Sequence, residues 1–215
     1  MPRFHVLFLL LLLAIAVPFA TADTIQLSNN NLGISGSIGY VTLTQLDPDD
    51  VQVTFTADPG YSFKLQGGKI YFNTSTTLTG LTVLQTLTDP ILIDGTSYSG
   101  GFSFSGPGSD NESSLGRFTY LLTGLNPKGG ITSADTISFV IYDASGVTLS
   151  QLEVPNLDGN MWGSHFCSGS ATSCPDPTGF SAGGTVTTGP EPGTLSLLGT
   201  GLVGLAGFFR RRLFS

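Results

Sequence analysis

The sequence predicts an all-β protein: an antiparallel β-sandwich, jelly-roll-like, between an N-terminal signal peptide and a single C-terminal transmembrane helix. The first observation behind this prediction is hydrophobicity that alternates with a period of two, as in VQVTFTA at 51–57 and TISFVIY at 136–142. Such alternation puts one face of each strand into a core. The second is the recurrence of Gly-, Pro-, Asn- and Asp-rich turns at intervals of about 8–12 residues, which is typical of a sandwich or barrel. The third is a short apolar run at each end of the chain.

The first two patterns define about nine strands in the body of the chain. Each strand combines β-branched or aromatic residues with alternate polar positions and ends at a turn sequence such as Asp58-Pro59-Gly60. No amphipathic helix of useful length is expected before the tail. The expected strands lie near residues 24–28, 38–45, 51–57, 69–73, 80–87, 99–105, 116–123, 136–142 and 147–154, with one or two more after Asn160.

Residues 1–22 have the three parts of a secretory signal peptide. Arg3 precedes a continuous apolar run from Val6 to Val17, and Ala20-Thr21-Ala22 is a small-x-small cleavage sequence. The run is shorter than the roughly 20 residues that span a bilayer. We therefore expect cleavage between Ala22 and Asp23 rather than an uncleaved anchor.

The body at residues 23–189 carries fourteen acidic and four basic residues, a net charge of −10. Such a surface repels a phosphate backbone, so nucleic acid is excluded as a partner. The acidity favours solubility and leaves cation binding open. We expect a β-sandwich domain over 23–167 and a Ser-, Thr- and Gly-rich loop and linker over 168–189, which would hold the domain away from the membrane.

Cys167 and Cys174 are the two cysteines of the chain. A secretory route favours a disulfide between them, although a metal pair and a catalytic thiol are alternatives. Structural metal sites use four ligands and closer cysteine spacing, and only His165 lies nearby. The sequence therefore favours the disulfide.

No pattern in the body is typical of a catalytic, cofactor or metal site. A Ser-His-Asp triad would depend on His165, the one histidine of the mature body, and no Gly-x-Ser-x-Gly motif is present. The acidic residues Asp47, Asp49 and Asp50 lie too close together for the facing carboxylates of a glycosidase, and turn formation is the favoured interpretation. A loop calcium site remains an alternative for them.

Several aromatic residues allow two interpretations, a β-core or a surface that stacks on sugar rings, and the core is favoured. They are Trp162, Tyr61, Tyr71, Tyr98 and Tyr142.

The tail at 190–215 has three parts. Pro190-Glu191-Pro192 breaks regular structure, a run of apolar or small residues follows, and the run ends at Arg210, Arg211 and Arg212. A helix over about 194–209 would be shorter than the ~30 Å hydrocarbon core, but snorkelling arginines would let it span. Because arginines stay in the cytoplasm, the body would lie outside the inner membrane.

The chain resembles the PEP-CTERM proteins of Gram-negative bacteria, which combine a signal peptide with a C-terminal Pro-Glu-Pro sequence, a short apolar helix and terminal arginines. Apart from the signal peptide, the resemblance covers about 26 residues, Pro190 to Ser215. The resemblance implies recognition of Pro190, Glu191 and Pro192 by an exosortase, an inner-membrane cysteine transpeptidase that would cut nearby. It implies that the apolar helix directs the tail into the membrane and that the arginines stop its translocation. It also implies a setting of exopolysaccharide and biofilm matrix.

We therefore expect an exported, non-enzymatic protein of the cell surface or extracellular matrix, with no cofactor, whose body is periplasmic before processing. Two alternatives remain open. One is a carbohydrate-binding module that acts on exopolysaccharide, and the other is a secreted hydrolase.

Overall fold

The computed structural model describes residues 21–75, 78, 80–108, 110–126, 130–169, 174, 177–188 and 201. One compact unit spans Ala22–Thr188. The signal peptide, the sorting motif Pro190-Glu191-Pro192, the stop arginines Arg210, Arg211 and Arg212, and all of the helix expected over 194–209 except Gly201 lie outside the described residues. In the part of the chain that the structure describes, no helix is long and apolar enough to cross a membrane.

The described body is almost entirely β-structure, which confirms the predicted class. Eighteen strands are present in it: β1 (Ala22–Leu27), β2 (Asn29–Asn30), β3 (Gly39–Gln45), β4 (Asp50–Ala57), β5 (Tyr61–Lys64), β6 (Ile70–Phe72), β7 (Thr82–Val83), β8 (Ile91–Ile93), β9 (Thr96–Tyr98), β10 (Ser103–Ser105), β11 (Asp110–Asn111), β12 (Arg117–Phe118), β13 (Tyr120–Thr123), β14 (Ser133–Ala134), β15 (Thr136–Tyr142), β16 (Trp162–Ser168), β17 (Thr178–Gly183) and β18 (Val186–Thr188). The helices are a 3-10 turn, Ser113–Leu115, and α1, Leu149–Leu152.

These strands form two antiparallel eight-stranded sheets and one separate hairpin. Sheet A has the order β18-β1-β3-β4-β15-β8-β9, and β7 also pairs with β15. Sheet B has the order β10-β13-β6-β16-β17-β2, with β5 beside β16 and β14 beside β5. The hairpin is β11–β12, which pairs Asp110 with Phe118 and Asn111 with Arg117.

One large apolar core is shared by the two sheets. Phe55 of sheet A meets two residues of sheet B, Phe63 and Trp162, at ring-centroid distances of 5.5 and 6.1 Å. Trp162 also stacks on Phe72 at 4.4 Å. The alternation that predicts strands therefore also identifies the core face, since Val51, Val53 and Phe55 are all fully buried. The layering is that expected of a sandwich, and a jelly-roll strand order stays a prediction.

The expected strand at 147–154 is wrong: residues Leu149–Leu152 form α1. Its N-cap, Thr148, and Gln151 form a capping box, in which the backbone N–H of Thr148 donates to Gln151 Oε1 at 2.9 Å. Buried Leu149 and Leu152 are three residues apart, which fits one face of a helical turn.

The segment 168–189 also differs from the expected loop and linker. Residues Thr178–Gly183 are β17, which pairs with β16 over six residues from Trp162 to Cys167, and Val186–Thr188 are β18 at the edge of sheet A. Close packing of small residues accompanies this pairing: Ala182 is fully buried, and a Cβ at Gly183 would collide with the carbonyl oxygen of Gln26 in β1. The folded body thus continues to Thr188.

Candidate functional site

The two ends of the body meet at one edge of sheet A. Strand β18 pairs antiparallel with β1, so that Asp23 lies opposite Thr188, Thr24 opposite Thr187 and Ile25 opposite Val186. Ala22, on the other side of the expected signal cleavage bond, pairs with Thr44 of β3. The expected mature N-terminus and the end of the folded body are therefore cross-strand neighbours.

An acidic side chain from the segment after α1 faces this edge. Burial first, and then the nearby carboxyl of Asp23, raise the pKa of Glu153 to about 7. Glu153 Oε1 is buried and makes no hydrogen bond. The raised pKa keeps this carboxyl protonated to a higher pH than an exposed glutamate, which limits the repulsion between Glu153 and Asp23.

A groove of about 640 Å³ lies elsewhere on the body. Most of the residues that line it have polar side chains, and Val154, Pro155 and Leu157 add apolar surface. The lining residues include Asn111, Ser114, Arg117, Leu157 and Asp158. Asn111 and Arg117 are cross-strand partners in the β11–β12 hairpin, so that an amide and a guanidinium group stand side by side.

The floor of the groove is held by a network of amide side chains. The side-chain amide groups of Asn156 and Asn160 both donate to the carbonyl oxygen of Leu115 at 2.9 Å. Asn73 Nδ2 donates to the carbonyl oxygen of Asn160 at 3.1 Å. Gly116 has a φ of +89°, and a Cβ at this position would collide with Asp158 Oδ2. The floor is thus fixed by packing, whereas Asn111, Arg117 and Asp158 are exposed.

The other face of the same hairpin covers a small cluster on the outside of sheet B. Phe118 stacks on Tyr71 at 5.5 Å, and Lys69 Nζ lies 3.1 Å from Glu112 Oε1 and 3.2 Å from Asp110 Oδ2. The Glu112 side chain is 6% exposed, whereas that of Lys69 is 34% exposed. Lys69 is thus the cation that compensates a buried carboxylate.

His165, the one candidate base, belongs to this cluster. Its ring packs against that of Phe180 at a tilt of 33°, with 3.7 Å between ring centroids, and its Nδ1 is buried without a hydrogen-bond partner. Burial, together with Lys64 and Lys69, lowers the pKa of His165 to about 4. The imidazole is therefore neutral at physiological pH, and no carboxylate orients its Nδ1 as in a triad.

The other sequence candidates lie in separate places. Cys167 and Cys174 are joined by a disulfide, with 5.2 Å between their Cα atoms. Among the described residues, no group of three acidic, histidine or cysteine side chains could hold a metal ion. Burial and then the charge of Asp47 raise the pKa of Asp50.

The aromatic candidates do not line the groove. Trp162, Tyr71 and Tyr98 are buried, and Tyr61 and Tyr142 are half-buried.

Comparison with known protein families adds the C-terminal signal. Residues 190–212 match the PEP-CTERM protein-sorting motif. This confirms the resemblance, and it implies an exported protein of the cell envelope that is processed by an exosortase. No curated protein and no solved structure matches the chain.

The PEP-CTERM motif begins unexpectedly close to the folded body. Thr188 ends β18, and Gly189 alone separates it from Pro190, the first residue of the motif. A flexible linker of about twenty residues, which the composition of 168–189 predicts, is therefore absent between the described body and the motif. Strand β18, at the edge of sheet A, is thus the part of the body nearest in sequence to the sorting signal.

Proposed function

We propose that this protein is an exported, non-enzymatic component of the cell surface or extracellular matrix. Its signal peptide is removed between Ala22 and Asp23. Its tail then holds it in the inner membrane through a helix at about 194–209, with Arg210, Arg211 and Arg212 in the cytoplasm and the body in the periplasm. An exosortase cuts near Pro190-Glu191-Pro192, and the body leaves for the surface.

The observation that carries this proposal is the PEP-CTERM motif at 190–212. The disulfide between Cys167 and Cys174 supports export, because such bonds persist in oxidising compartments. The neutral state of His165, packed against Phe180, supports a non-enzymatic role, since this histidine has neither the pKa nor the orientation of the base in a Ser-His-Asp triad.

Intact-mass analysis tests the proposal in a strain that carries an exosortase and in a matched strain without it. With the enzyme, we expect a body that begins at Asp23 and ends near residue 190; without it, a body that retains the tail through Ser215. The same C-terminus in both strains would contradict exosortase processing. A tail retained in both would indicate a permanent anchor.

The groove favours a second candidate function, binding of an uncharged glycan of the extracellular matrix. Its exposed amide, guanidinium and carboxylate groups are planar partners for sugar hydroxyls, and exposed Leu157 offers an apolar wall. The acidic body and Asp158 disfavour an acidic polysaccharide. The rigid floor would limit the entropy lost on binding.

Titration calorimetry with dextran, xylan and mannan, and with alginate as the acidic comparison, tests this function. We expect the protein to bind an uncharged polymer and Arg117→Ala to weaken that binding by about tenfold, a loss of about 1.4 kcal/mol. Lys64→Ala is the matched control, because it removes a cation that does not line the groove. No binding to any of the three uncharged polymers, or equal losses in both variants, would contradict a glycan site in the groove.

A further inference from the structure

The short connection between β18 and the PEP-CTERM motif restricts access to the processing site. While β18 is paired, Thr188 is fixed opposite Asp23, and the two residues of chain from Thr188 to Pro190 reach at most about 7 Å from there. To cut a peptide bond near Pro190, the enzyme must bind the residues on both sides of that bond in its active site. On the body side, that chain is Gly189 and then β18 itself.

Paired strand residues are poor substrates for a cutting enzyme. Thr188, Thr187 and Val186 are held in register against Asp23, Thr24 and Ile25. While these pairs persist, the residues before Gly189 cannot leave the edge of sheet A to enter an active site. Cleavage of segments held in this way proceeds through local opening, and its rate follows the population of the open form.

Strand β18 has the properties of a segment that opens easily. It is three residues long and pairs with β1 alone at the end of sheet A. Thr187 and Thr188 are exposed, and Val186 is only half-buried against the core. Its release leaves the pairing of β1 with β3 over six residues intact. Three freed residues add about 10 Å of reach.

We propose that β18 is a detachable latch: exosortase processing requires β18 to unpair from β1, which frees the chain in front of Pro190. This inference rests on the proposed function, since it concerns regulation of the same cleavage. The folded body itself thus sets how much of the chain is open to the enzyme. Sorting is regulated by the edge strand and not by the motif alone.

A disulfide that locks β18 to β1 tests the latch in the full-length protein, in cells that carry an exosortase. Thr24 and Thr187 are directly opposite, and both point away from the core that buries Ile25. Cysteines at directly opposite positions lie within the range that a disulfide spans. We expect T24C/T187C, with its added disulfide verified by intact mass, to be processed at least about tenfold more slowly than the unmodified protein.

The matched control is Tyr40→Cys with Thr56→Cys. These residues are opposite each other on the outer face of sheet A and would join β3 to β4, away from β18. We expect this variant to be processed at the normal rate. A six-residue Gly-Ser insertion between Thr188 and Gly189 should restore processing of T24C/T187C, because it supplies the reach that the locked strand withholds.

The outcomes separate the latch from the proposed function. Normal processing of T24C/T187C would overturn the latch alone. Slow processing that the insertion does not restore would overturn it as well, because the lock would then act by another route. If the unmodified protein keeps its tail with and without the enzyme, the proposed function fails and the latch fails with it.

Discussion

Replacing Trp162 by alanine is expected to lower the free energy of unfolding by about 4 kcal/mol, the range for truncation of a buried tryptophan. Trp162 is fully buried and connects the two sheets through Phe55 of sheet A and Phe72 of sheet B. Its Nε1 also donates to the carbonyl oxygen of Leu152 at 2.8 Å. Truncation therefore leaves a cavity and removes the partner of a buried carbonyl group.

Urea unfolding of the body, residues 22–188, followed by circular dichroism measures this loss. The body has its own core and can be compared with its variants under one condition. Leu157→Ala is the control: its side chain is fully exposed, so a change within about 0.5 kcal/mol is expected. A similar small change for Trp162→Ala would mean that Trp162 does not lie in the core.

A second variant separates the two contributions of Trp162. Trp162→Phe keeps an aromatic ring against Phe72 but loses the hydrogen bond to Leu152. The expected cost is intermediate between those of the alanine variant and the unmodified body. A cost equal to that of Trp162→Ala would indicate that the hydrogen bond, and not packing, dominates.

The strands with strict alternation could be predicted from the sequence because burial on one face imposes a period of two. The expected strand at 51–57 corresponds to β4 (Asp50–Ala57), and the one at 136–142 to β15 (Thr136–Tyr142). The period does not reveal that these two strands pair with each other, since their pairing joins residues that are 80 to 92 positions apart in sequence. Partner choice depends on the complementarity of whole faces.

The two segments that composition misassigns, 147–154 and 168–189, show opposite errors. The sequence around α1 predicts a strand because Val147, Leu149 and Leu152 are apolar. Thr148 and Gln151, however, have the spacing of a capping box, which is a helix signal already present in the sequence. The composition of β17 and β18 predicts a linker because Ser, Thr and Gly are common in flexible segments. A glycine is needed at 183 for close approach to β1, which only the tertiary structure reveals.

The candidate sites differ in how far they could be foreseen. The sorting motif is local, since recognition depends on neighbouring residues in the chain, and the sequence alone identifies it. The groove and the β1–β18 edge depend on contacts between distant segments. Asp23 and Thr188 are opposite in the fold although nearly the whole body separates them in sequence. No local pattern signals either arrangement.

Replacing Lys69 by methionine is expected to destabilise the body by about 2 kcal/mol, below the full cost of breaking a buried ion pair because Lys69 is partly exposed. Methionine retains a similar unbranched stem beside Tyr71 but removes the cation that lies 3.1 Å from Glu112. Glu112 would then be an uncompensated carboxylate with a side chain that is 6% exposed. Lys64→Met is the control and should change stability by less than about 0.5 kcal/mol.

The asymmetry between the two partners makes this prediction specific. Glu112→Gln leaves Lys69 charged, but Lys69 is 34% exposed and also contacts Asp110, so we expect a loss of less than about 1 kcal/mol. Combining K69M with E112Q should recover about half of the loss caused by K69M, because the buried charge is then gone. Urea unfolding of all four proteins completes the cycle. Additive losses in the double variant would mean that Lys69 and Glu112 do not interact.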